Sequence, residues 1–166
     1  MEIREEHLYH GAALNQIAQH KQFTAINALK LKTRTSRSSF RVNDDIAVYL
    51  KYCNKPKGRF KEYQFTFNRS HLKELRDIEK TGDRLHVVLV CVKDRHICCI
   101  SHNILLGMIQ ERRTAVGRRE DQYQVLVTIN KGEAFRVYMN NPGRRKVILG
   151  EPRKIPRNSF PRVLFE

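Results

Sequence analysis

Apolar residues in this chain alternate with polar ones more often than they recur at helical spacing. Ile46, Val48, Leu50 and Tyr52 alternate with Ala47, Tyr49 and Lys51, and Tyr63, Phe65 and Phe67 alternate with Glu62, Gln64 and Thr66. Residues 54–58, Asn-Lys-Pro-Lys-Gly, lie between the two runs. The pattern predicts a β-hairpin whose turn is centred on Pro56 and Lys57. Residues 85–92 are a continuous apolar run, which predicts a central strand buried on both faces, and Lys93-Asp94-Arg95-His96 turns it toward Ile97-Cys98-Cys99-Ile100 as a second hairpin. A third is predicted where Tyr123, Val125, Val127 and Ile129 alternate with polar partners, residues 130–133 turn, and Phe135, Val137 and Met139 alternate with Arg136, Tyr138 and Asn140.

Helical spacing is confined to three places. Leu8, Ala12, Leu14, Ile17 and Ala18 predict a first helix over residues 7–20, which Phe23, Ile26 and Leu29 extend. Ser70 offers an N-cap to a second helix carrying Leu72, Leu75 and Ile78 and ending at Gly82. Ser101 caps a third, with Ile104, Leu105, Met108 and Ile109 on one face and Arg112 and Arg113 in the last turn, where cations favour the macrodipole. Residues 32–39 are polar, basic and aperiodic, which predicts a mobile loop, and residues 111–121 read as a charged connector. Residues 141–166, where Pro142, Pro152, Pro156 and Pro161 stand among basic residues, read as an irregular tail. The order predicts a single α+β domain over residues 1–166, a mainly antiparallel sheet built from three hairpins with two to three helices packed on it.

At 166 residues and 40% hydrophobic content the chain has enough apolar side chains for a core. No apolar run approaches the roughly 20 residues that cross a bilayer, and the start, MEIREEHLYH, lacks a signal-peptide core, so no membrane partner and a cytoplasmic setting are expected. Cys53, Cys91, Cys98 and Cys99 sit in or beside strand-like runs and read as reduced. Adjacent Cys98 and Cys99 point to opposite faces of a strand and no CxxC is present, so these residues and His102 are expected to hold no metal. Cys53 has no sequence-adjacent His to activate it, and no Walker loop, GxGxxG, GxSxG or HExxH occurs.

Charge changes the picture most. Lys and Arg number 32 against 17 Asp and Glu, a net +15. Residues 21–41 and 51–61 hold basic residues and no acid. A field of that sign concentrates polyanions, and Lys or Arg contacts to phosphate gain from counterion release. Tyr49 and Lys51 on the first hairpin, Lys55, Lys57, Arg59 and Phe60 in its turn, and Arg136 with Tyr138 on the third interleave cations with aromatics, which suits phosphate contact with base stacking. Arg112, Arg113, Arg144 and Arg145 extend the expected nucleic-acid surface to either DNA or RNA. With Arg118, Arg119 and Lys146 they also fit a second expectation, an adaptor that docks on an acidic protein or a ribonucleoprotein.

Asp45, followed at a distance by Glu62-Tyr63-Gln64, resembles the motif of PD-(D/E)XK nucleases, in which an Asp and a carboxylate-x-Lys pair bind a divalent metal that activates water. The resemblance covers the helix, hairpin, helix, strand order from His7 to Val92 and implies magnesium or manganese as cofactor, with Asp45, Glu62 and Gln64 as catalytic residues. Gln64 departs from the motif's Lys. With the turn at Pro56 and Lys57, Lys51 faces Glu62 and Tyr49 faces Gln64, which leaves Asp45 about 20 Å from Glu62 at roughly 3.3 Å per residue. The leading expectation is therefore a nucleic-acid-binding protein with no catalytic residue, cofactor or metal, with the nuclease and the adaptor as alternatives.

Overall fold

The structure, a computed structural model, describes every residue except Thr33 and describes Arg145 and Lys146 by their backbone alone. The elements in chain order are α1 (Glu5–Ala18), β1 (Ile26–Lys30), β2 (Thr35–Val42), β3 (Ile46–Cys53), β4 (Tyr63–Asn68), α2 (Arg69–Glu79), β5 (Arg84–Cys91) and β6 (His96–Ser101). They continue with α3 (His102–Val116), β7 (Gln122–Thr128), β8 (Phe135–Tyr138), β9 (Asn140–Asn141), β10 (Arg144–Ile148), β11 (Arg153–Ile155) and a 3-10 turn over Arg162–Phe165. The class is α+β with mainly antiparallel sheets.

Two sheets carry the fold, one in the order β1-β2-β3-β5-β6 and one in the order β11-β8-β7-β4. The second and third hairpins form as their patterns predict, β5 with β6 and β7 with β8. The first does not. β3 pairs antiparallel with β2 and parallel with β5 along its whole length, Ile46 opposite Arg84 through Cys53 opposite Cys91. β4 leaves for the second sheet and pairs with β7, so Lys51 does not face Glu62 and Tyr49 does not face Gln64. The intervening loop is closed by backbone hydrogen bonds between Lys57 and Glu62 of 2.9 and 3.0 Å, which centres the turn on Arg59 and Phe60.

Two apolar clusters explain this division. Alternate residues of β3 and β5 point to opposite faces of the first sheet, as the pleat requires. Tyr49, Val87, Leu89 and Cys91 meet Leu75 and Ile78 of α2, Leu105 and Met108 of α3, and Phe65, Phe67, Val125 and Val137 of the second sheet. Val48, Leu50, Val88 and Val90 meet Ala13 and Ile17 of α1 with Phe160 and Leu164 near the C-terminus. β4 keeps only one face buried, and its alternation follows from that.

Three other expectations are corrected. Ile26 and Leu29 belong to β1, not to a continued helix. Most of the segment 32–39 lies in β2, while Thr33 is outside the described residues; the polar residues here turn to acids, Ser36 of β2 and Arg34 just before it to Glu74 of α2, and Arg41 to Asp83 at 2.7 Å. The N-cap of α2 is Asn68, whose Oδ1 accepts from His71 N at 2.9 Å, rather than Ser70. Ser101 does cap α3, and Gly117 at φ 86° ends it. The segment 141–166 includes two short strands and the 3-10 turn. Among the described residues, no helix is long and apolar enough to cross a membrane.

Candidate nucleic-acid interface

The parallel pairing of β3 with β5 brings the loop after one strand beside the turn after the other. Val92 N donates to Cys53 O and Lys93 N to Asn54 O, both at 3.0 Å. Because β4 pairs with β7 so that Tyr63 faces Val127, the turn after β7 arrives at the same end. Three turns thus converge, contributing Lys55, Lys57, Arg59 and Lys61 from the first, Lys93 and Arg95 from the second and Lys131 from the third, all exposed. None of these cations is in an ion pair among the described residues.

The acids of this end accept hydrogen bonds from neighbouring side chains, Asp94 and Glu133 while exposed and Glu62 while half-buried. Asp94 accepts a hydrogen bond from the Tyr63 hydroxyl and Glu62 one from the Tyr138 hydroxyl. Burial, followed by the hydrogen bond to the carboxylate, pushes both phenols well above the ordinary tyrosine value. Glu133 accepts from the Asn130 amide at 3.1 Å. A hollow of about 470 Å³ opens between the turns, lined by Lys61, Lys93, Asp94, Tyr63 and Ile129 among others. Phosphate oxygens brought here meet seven exposed cations that outnumber the three carboxylates beside them.

Other predicted residues occupy different settings. Lys55, Lys57 and Arg59 lie at the converging turns. Tyr49 is 2% exposed and Tyr138 4%, so neither offers a ring for stacking. Lys51 is half-buried, its Nζ donating to Thr66 O at 2.6 Å and lying 3.3 Å from His71 Nδ1 and 4.9 Å from the centre of the Phe67 ring. Burial lowers its pKa to about 8. Arg112 is clamped on Glu120 at 2.7 and 3.1 Å and on Asn140 O at 2.7 Å, an arrangement that holds Glu120 below the usual carboxylate range. Arg136 is half-exposed and Arg113 and Arg144 are exposed, whereas the side chain of Arg145 lies outside the described residues.

Asp45 and Glu62 do not share a site. Asp45 precedes β3 at the end opposite the turns, 3.4 Å from Arg84, while Glu62 follows the far end of that strand and binds Tyr138. Gln64 is half-buried in β4, two residues further on. No group of three or more His, Cys, Asp or Glu side chains is positioned to hold a metal ion among the described residues.

Sequence reasoning missed Lys93, Arg95 and Lys131, which are scattered in the chain and joined only by topology. It also missed a cleft of about 620 Å³ between α2 and α3, where Leu72, Leu106 and Ile109 meet Lys73, Arg76, Arg113 and Arg119. The signal for the turns was present in the basic residues of Lys93-Asp94-Arg95 and Asn130-Lys131-Gly132, short connections between strands. Comparison with known protein families, curated proteins and solved structures finds no match to this chain.

Proposed function

We propose that the protein binds nucleic acid through its phosphates at the end of the molecule where the three turns meet. One observation carries the reading: the cations there are exposed and in no ion pair among the described residues, while Glu62 and Asp94 accept hydrogen bonds from tyrosine hydroxyls. Seven exposed cations against the three carboxylates of Glu62, Asp94 and Glu133 leave an excess of positive charge at this end, which favours a polyanion. The binding needs no cofactor, and the separation of Asp45 from Glu62 leaves the nuclease reading without a paired carboxylate site.

The test is a titration of duplex DNA, single-stranded DNA and RNA at several salt concentrations. Log affinity falls linearly with log salt, with a slope of about −0.9 per neutralised phosphate on duplex and about −0.7 on single strands. Changing Lys57, Arg59 and Lys93 together to Ala is expected to flatten that slope by about 2 to 3. Failure of all three nucleic acids to bind at low salt sinks the proposal. The apolar floor of the α2/α3 cleft, with its basic rim, supports an acidic protein as the second reading, and that partner is then the one to pursue.

A further inference from the structure

We infer that the cleft beside Phe60 receives one unpaired base, so that the ligand is single-stranded or locally unpaired nucleic acid. The inference rests on the proposed binding of nucleic acid and adds which form of it is bound. Phe60 stands at the tip of the turn closed by Lys57 and Glu62, with its residue 51% exposed, the most exposed Phe or Tyr among the described residues. The tip is built rather than loose: Gly58 at φ 76° and Lys61 at φ 51° take left-handed conformations, and Lys61 N donates to Gly58 O at 3.2 Å. An aromatic ring presented on such a turn, surrounded by cations, has the composition of a stacking platform.

Beside the ring lies a cleft of about 200 Å³, below the roughly 300–1,000 Å³ of pockets that enclose drug-sized ligands and suited to one planar ring. Phe60 and Ile148 give it apolar walls, and Thr128, Asn140 and Glu62 give it hydrogen-bonding groups. Thr128 is 6% exposed, and apart from its approach to the Tyr138 phenol its hydroxyl has no partner among the described residues. Glu62 spends one carboxylate oxygen on Tyr138 and keeps the other for a donor. Arg136, also lining the cleft and in no ion pair among the described residues, can hold the adjoining phosphate. A base whose face lies on Phe60 has these groups in the same cleft to meet its edge. A base inside a duplex has both faces covered by its neighbours and cannot enter.

The experiment uses the full chain and a single-stranded oligonucleotide containing 2-aminopurine, with the same strand annealed to its complement for comparison. Binding of the single strand is expected to quench the fluorophore by stacking. Phe60→Ala is expected to abolish the quench and weaken single-strand binding by roughly 5- to 150-fold while leaving the salt slope unchanged. Phe60→Trp is expected to keep both, and Lys57→Ala with Arg59→Ala to flatten the slope but keep the quench. Equal affinity for duplex and single strand, together with an unaffected Phe60→Ala variant, overturns the inference and leaves the phosphate-binding reading standing. Absence of binding to either form at low salt overturns both.

Discussion

At the residue scale, Lys51 is a charged group drawn partly out of water. Its ammonium lies over the Phe67 ring and donates to Thr66 O, and removal from water disfavours the charge. With a folded pKa of about 8 against an ordinary value of 10.5, the unfolded chain holds a proton between those limits that the folded chain lacks. Stability contributed by this site therefore rises with pH across that window, by at most about 1.4 kcal/mol per unit. Cys91, Cys98 and Cys99 act in the opposite sense: burial raises their thiols, Cys99 to about 12, while unfolded thiols ionise near 8.5. Comparing urea midpoints of the wild type and Lys51→Met cancels the cysteines, and the difference should move toward the wild type between pH 8 and 9.5. A pH-independent difference means that Lys51 titrates as a solvated lysine. The same burial predicts that Cys53 alone, half-buried, reacts with a disulfide reagent in the native protein, and that all four thiols react after unfolding. Titration of thiols with and without denaturant decides it.

At the element scale, the strands were legible and their partners were not. β4, buried on one face, and β5, buried on both, are written in their own residues. The pairing of β3 is not, because Ile46 through Leu50 are all buried whatever lies beside them, and nothing local distinguishes a neighbour near in sequence from β5, reached only after β4 and α2. β2 escaped detection because two of its three buried residues, Ser36 and Ser39, are polar where a strand pattern requires apolar ones, and only the third, Val42, is apolar. Tyr49 and Tyr138 looked like surface aromatics for a related reason: each sits on the polar side of an alternation whose far side is also covered. The cap of α2 stands two residues before Ser70, the cap that the sequence predicts. Asn68→Ala is expected to cost about 1 kcal/mol, as loss of an N-cap does, whereas Ser70→Ala, an exposed first-turn residue, should be nearly neutral. Equal losses in denaturant unfolding count against the Asn68 cap.

At the scale of the whole molecule, a net charge of +15 works against compactness even as it draws in an anion. Salt should therefore act in opposite directions on two properties of the same protein. Raising ionic strength screens self-repulsion and is expected to raise Tm, while it weakens nucleic-acid binding. Scanning calorimetry and a binding titration in the same series of salt concentrations test the pair; a Tm that falls with salt shows that the cations are already balanced within the fold. The net charge was open to reading from composition, but the gathering of seven of its cations at one end required three turns from distant parts of the chain to meet.

The departure of β4 into the second sheet bears on the order in which a ribosome delivers the parts. β4 is made before α2, yet its partner β7 emerges more than fifty residues later, a delay of roughly 3 to 10 s at the usual 5–20 residues per second. During that interval the nascent strand has an open edge, and Phe65 and Phe67 lack the β7 side chains that cover them in the finished protein. Synthesis paused between β6 and β7 should thus leave a sticky intermediate, held back from self-association chiefly by mutual repulsion among its basic residues.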